Sequence, residues 1–192
     1  MRKKDFFGDK IASRRGFLKA LAAGSAIGAL GACTVSTSGN VTTITVNVAK
    51  VKAYGQAGIN AVSTVLSIAA VASAIGAPAV AVIETASVAL SSALTAFASA
   101  AGSSVTVSYD DSTMKSAINS VLADLQTVAA DLSSAVTGAS ATVSSSVLSD
   151  ANTALSALKT VLSVFEGLLG IVSISDARMT EAQALRVLRV TL

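Results

Sequence analysis

Between Ala53 and Tyr109 the chain carries one charged side chain, Glu84, and that scarcity of charge limits what the segment can become. A stretch this long and apolar either packs into a core or enters a bilayer. Gly76-Ala77-Pro78 divides it, since glycine favours a helix end and proline a helix start. The predicted result is a helical hairpin with arms over 50–75 and 79–101. Along the second arm Val80, Ile83, Leu90, Leu94 and Phe97 share one stripe. Hydroxyl residues such as Ser63, Thr64, Ser67, Thr85, Ser91, Ser92 and Thr95 interrupt both arms. Small side chains of this kind allow close helix approach in a packed bundle, and they suit helix contacts inside a membrane as well. The arms are marginal as spans, which favours a buried core hairpin.

A second hairpin follows. Met114, Ile118, Val121, Leu125, Val128, Leu132 and Ala135 step mostly by three and four, predicting a helix over 112–137 with Ser112 as its cap and Gly138 as its end. Asp124 and Asp131 stay off that stripe. Val147, Ala151, Ala154, Leu158, Val161, Phe165 and Leu168 repeat the pattern over 142–169. A last amphipathic helix, 180–191, opens on Thr180 and Gln183 in capping-box spacing. It carries Leu185 and Leu188 on one side and Arg186 and Arg189 on another, with Arg178 just ahead of it. Docking onto the bundle is its simplest role, and contact with anionic lipid or an acidic partner is the alternative.

Two short segments alternate as strands do. Ile44, Val46 and Val48 face one way and Thr43, Thr45 and Asn47 the other, and Val105 to Tyr109 is a briefer copy. The expected fold is therefore mainly α: a four-to-five-helix antiparallel bundle built from two helical hairpins, with short strands at about 41–48 and 104–109 that can pair.

The side chains available for chemistry are few. The chain has no histidine and one cysteine, Cys33, which removes the usual general base, the usual metal ligand and any intramolecular disulfide. Asp110-Asp111 is the one adjacent carboxylate pair, and its place before a predicted helix suits the helix dipole better than a calcium or glycosidase role. Ser144-Ser145-Ser146 has no base beside it and reads as a solvated helix face. No catalytic, cofactor or metal site is expected, and the chain is not expected to be an enzyme.

The N-terminus is more specific. Ser13-Arg14-Arg15-Gly16-Phe17-Leu18-Lys19 precedes an apolar, glycine-spaced stretch from Ala20 that ends in Leu30-Gly31-Ala32-Cys33. At Ser13, Arg14, Arg15, Phe17, Leu18 and Lys19 the run resembles the twin-arginine (Tat) signal S-R-R-x-F-L-K, which directs folded proteins across the bacterial inner membrane. Leu30, Gly31 and Ala32 before Cys33 resemble a lipobox, at which the cysteine is acylated and becomes the new N-terminus. The resemblance covers residues 13–33 alone. It implies a signal peptide over 1–32, an acylated Cys33 followed by a polar tether to residue 40, and one helical domain over 41–192. It implies two partners as well, the Tat translocon during export and a membrane afterwards, held through the lipid on Cys33. Thr34 in place of Asp after the cysteine leans toward the outer membrane in a Gram-negative cell.

Removing that signal changes the charge. The whole chain is +3, but residues 1–32 hold seven of its 14 basic and two of its 11 acidic side chains, so the remainder is net −2. The basicity belongs to the address, and with no Lys/Arg cluster after it, nucleic acid is excluded as a partner. The chain is thus expected to be a non-enzymatic, lipid-anchored helical protein of the cell envelope with a binding or scaffolding role. Two alternatives stand beside it: a membrane-active protein that inserts the 53–109 hairpin, and a small subunit whose signal carries a larger partner across. An envelope protein or a second copy of the chain is the remaining class of partner.

Overall fold

The computed structural model describes residues 33–38, 41–171 and 179–191. Two strands come first, β1 (Cys33–Ser38) and β2 (Val41–Asn47). Helices α1 (Val48–Leu66) and α2 (Ala69–Ala101) follow, then β3 (Thr106–Ser108). The chain ends in α3 (Ser112–Ala139), α4 (Ser145–Leu168) and α5 (Glu181–Val187). Helix α1 is the centre of the bundle and touches each of the other four, which follow one another around it: α2 against α3, α3 against α4, α4 against α5.

Burial explains that centrality. Helix α1 buries Val51, Tyr54, Ala57, Ala61, Val62 and Val65, a face wide enough to serve several neighbours at once. Two glycines let the neighbours close in. A Cβ on Gly55 would overlap Leu94 of α2, and one on Gly58 would overlap Leu125 of α3 and lie 2.7 Å from Leu90 of α2. The stripe read for the third helix is the buried face of α3 from Met114 to Ala135, and Asp124 and Asp131 lie off it, half-buried.

The two expected strands pair, and they do so with a third. The sheet has the order β1-β2-β3, antiparallel throughout, with Cys33 opposite Val46 and Val46 opposite Val107. Residues 33–38 therefore form a strand where the sequence suggested the start of a tether. The β-branched residues Thr34, Val35 and Thr37 suit that conformation, and pairing with β2 satisfies the backbone groups on the side that faces it. β2 runs straight into α1, whose first turn is capped by Asn47 Oδ1 accepting from the Lys50 amide at 3.2 Å.

Several boundaries moved. The first arm ends at Leu66 rather than 75, because Ser67 caps it and Ile68 turns extended (φ −81°, ψ 96°). No glycine or proline marks this break. The expected turn at Gly76 is present as a sharp kink inside α2, at φ 79° and ψ 163°. Asp111, not Ser112, caps α3, its carboxylate accepting from the amides of Thr113 at 3.0 Å and Met114 at 2.9 Å. Helix α3 also runs past Gly138 to Ala139, since Val136 and Ala139 still have core to cover. Helix α4 starts at Ser145, and its first buried residue is Leu148 in place of the expected Val147, which is 40% exposed.

Candidate functional site

The residues singled out for chemistry are not brought together. Asp111 is spent on its helix cap, while Asp110 is exposed beside it and accepts no ligand-like convergence of other groups. Among the described residues no three His, Cys, Asp or Glu side chains cluster as a metal site would require. Ser144, Ser145 and Ser146 are exposed as expected, and the Oγ atoms of Ser144 and Ser146 lie 3.1 Å apart with no base in reach. Ser13, Arg14, Arg15, Phe17, Leu18, Lys19, Leu30, Gly31 and Ala32 lie outside the described residues. Cys33 is the first residue of β1, so the lipidation candidate belongs to the folded body itself.

What the structure does offer is surface. Helix α2 packs mainly against α1 and α3, and its outward side is exposed among the described residues. Its buried residues are Val71, Ile83, Ala86, Leu90, Phe97 and Ala101, which leaves Val82 56% and Val88 65% exposed. The second arm of the expected core hairpin buries Ile83, Leu90 and Phe97 of its stripe in the core, while its outer side stays uncovered. Helix α2 is long and apolar enough to cross a membrane, with mean hydropathy 1.6, and 17% of its apolar 18-residue stretch is buried.

Three of the hydroxyls on this side bond within the helix. Thr85 Oγ1 donates to the Ala81 carbonyl at 2.8 Å, Ser92 Oγ to Val88 at 3.0 Å, and Thr95 Oγ1 to Ser91 at 3.0 Å. These three donors are used one turn back in their own helix, while Ser91 and Ser99 are exposed beside them. Glu84 is the exposed exception.

Two shallow grooves run between α2 and α3. One, of about 420 Å3, is lined by Ala74, Ile75, Ala79 and Ile83 opposite Ser134 and Gly138. The other, of about 400 Å3, is lined by Ala81, Thr85 and Ala89 opposite Thr127. Val82 and Asp131 line both. One carboxylate among alanines and hydroxyls can hold a cationic or apolar segment but has no partner for acid–base or nucleophilic work.

The last helix docks as the simpler reading expected. Its capping box forms, with Thr180 Oγ1 accepting from the Gln183 amide at 3.3 Å and the Gln183 side chain accepting from the Thr180 amide at 2.9 Å. Ala184, Leu185 and Leu188 are buried against the bundle, and Asn60 Nδ2 donates to the Leu188 carbonyl at 2.8 Å. Glu181 accepts from Lys50 Nζ at 3.0 Å and from Tyr54 Oη at 2.8 Å. Arg186 and Arg189 stay exposed. This polar group fastens α5 in place and is spent in doing so, which accounts for it without a ligand. Comparison with protein-family models, with curated proteins and with solved structures finds no match to this chain.

Proposed function

We propose that this chain is an exported protein of the bacterial cell envelope, held to a membrane by lipid on Cys33, that binds or scaffolds rather than catalyses. The observation that carries this reading is the run Ser13-Arg14-Arg15-Gly16-Phe17-Leu18-Lys19, followed by an apolar stretch that ends in Leu30-Gly31-Ala32-Cys33. Cleavage at that lipobox would leave Cys33 as the N-terminus, in β1 and opposite Val46 of β2. A twin-arginine signal moves cargo that has already folded, and the packed helices between Val48 and Leu168 are cargo of that kind. A bundle dominated by local helical contacts folds fast, which gives a reason to use this route. The uncovered side of α2 and its grooves with α3 are the surfaces on which binding would take place.

Fractionation of cells expressing the wild type and Cys33→Ala, with intact mass of the mature N-terminus, tests the proposal. The expected result is a diacylated Cys33 in the wild type and loss of membrane association in the variant. A wild-type protein processed elsewhere, with an unmodified thiol, would overturn it.

One observation favours a second reading, insertion of the 53–109 hairpin into a bilayer: α2 combines spanning length with an uncovered apolar side. Cys33→Ala protein that stays in the membrane fraction would bring that reading forward. A stoichiometric partner retained on pulldown of the mature protein would instead support a carrier subunit.

A further inference from the structure

We infer that the end of the sheet next to Cys33, together with the loop 102–105, rests on the phospholipid surface as a second membrane contact; this deepens the lipid-anchor proposal and depends on it. The register supplies the geometry. Cys33 pairs with Val46, and Val46 pairs with Val107, so Cys33 and Val107 sit on one row across the sheet. The strands are antiparallel, so the chain before Cys33 and the chain before Val107 leave by the same end. Val105 lies just past that end, where its carbonyl accepts from the Val48 amide at 3.0 Å. Strand spacings put Val105 about 10 Å across and about 7 Å beyond Cys33. An acyl chain on Cys33 thus brings Val105 to the headgroup region with no linker to spare.

The surface at that end fits a bilayer. Val105 is 75% exposed, more than any other large apolar side chain among the described residues, and Gly102, Ser103, Ser104 and Thr106 around it are exposed and uncharged. No charged residue occurs between Glu84 and Asp110. The carboxylates of Asp110 and Asp111, which an anionic surface would repel, come after the opposite end of β3. Lys52, exposed in the second turn of α1, is a cation near the favoured end. A single exposed valine means little alone. Beside the anchoring residue it sets an orientation: sheet end down, with Asp110 and Asp111 held away.

The chain contains no tryptophan, so one can be introduced as the sole reporter. Val105→Trp, Ser104→Trp and Val88→Trp would be purified as the membrane-derived mature protein, checked by intact mass, and reconstituted into vesicles of brominated phosphatidylcholine. Diacylated Cys33 with blue-shifted, bromine-quenched emission from Val105→Trp and Ser104→Trp, and unquenched emission from Val88→Trp, is the expected result. Diacylated Cys33 with water-like emission from both loop variants overturns this contact and leaves the lipid anchor standing. Quenching of Val88→Trp as strong as that of the loop variants overturns the orientation, because α2 would then lie in the bilayer. Unmodified Cys33 removes the anchor and this inference together.

Discussion

Tyr54 and Glu181, 127 residues apart in the chain, are joined by a 2.8 Å hydrogen bond from the phenol to the carboxylate. Lys50, one turn before Tyr54, closes on the same carboxylate at 3.0 Å. The Tyr54 ring also lies 5.3 Å from that of Phe165 at 49°, and both residues are fully buried. Helices α1, α4 and α5 therefore meet at one aromatic and polar junction. With seven residues, α5 is too short to persist as an isolated helix. Its capping box sets the first turn, and the junction with Leu185 and Leu188 holds that turn to the bundle.

Glu181→Gln is expected to cost about 1.5–3 kcal/mol, since it removes a charge-assisted pair whose side chains are only 15% and 10% exposed. Tyr54→Phe, which keeps the ring packing, should cost about 1 kcal/mol. Urea unfolding of both single variants and the double variant measures the coupling, and amide exchange over 181–188 locates it. Unchanged protection of α5 in Glu181→Gln would show that the apolar contacts alone hold it.

Two glycine-to-alanine changes should have opposite signs. Gly58 is buried where α1 meets α2 and α3, so a methyl there displaces Leu125 and Leu90 and should destabilise by about 1–3 kcal/mol. That outweighs the gain in helix propensity of about 1 kcal/mol. Gly138 lies inside α3 with nothing within 4 Å of its would-be Cβ, and Gly138→Ala should stabilise by about 0.5–1 kcal/mol. Thermal and urea unfolding report both. A stabilised Gly58→Ala would mean that the leucines move aside without strain.

Gly76 is expected to refuse a side chain for a backbone reason. Its φ of 79° and ψ of 163° belong to a region that is open almost only to glycine, while the nearest atom to a Cβ, Pro78 Cδ, is a comfortable 3.8 Å away. Gly76→Ala should cost about 1–3 kcal/mol through conformation alone. Gly76→D-Ala, made by semisynthesis, should restore the loss. If both variants unfold with the wild type, the kink is not needed for stability.

The helices of the second hairpin were legible in the sequence because their burial is periodic: every residue of the stripe from Met114 to Ala135 is buried. The capping box at Thr180 was legible because both of its side chains act locally. The break at Ser67-Ile68 was not, since no residue there is restricted in backbone conformation and the turn is imposed by packing. β1 was missed for a related reason. Thr34 to Ser38 has too little apolar contrast to read as a strand, and its pairing depends on β2, a partner the local pattern does not reveal. The inner side of α2 was legible through Ile83, Leu90 and Phe97, but the exposure of its outer side was not, because the Ala, Val and Ser found there are small or apolar enough to be packed as well.

Val88→Lys separates the two readings of that outer side. Val88 is 65% exposed near the middle of the straight arm after Gly76, where a lysine reaches water at once. If α2 is a solvent-facing or partner-facing helix, the change should alter unfolding by less than about 0.5 kcal/mol. Membrane association of the Cys33 protein should then be unaffected, because lipid and not α2 holds it. If α2 crosses a bilayer, lysine at its centre costs about 2.5–3.5 kcal/mol of insertion. The sensitive comparison is therefore made in the Cys33→Ala background, where no lipid masks the effect. We expect Cys33→Ala to be soluble already and Val88→Lys to change nothing further. Protein that stays with the membrane in Cys33→Ala and leaves it only when Val88→Lys is added would reverse the ranking, and α2 would be the membrane-active element.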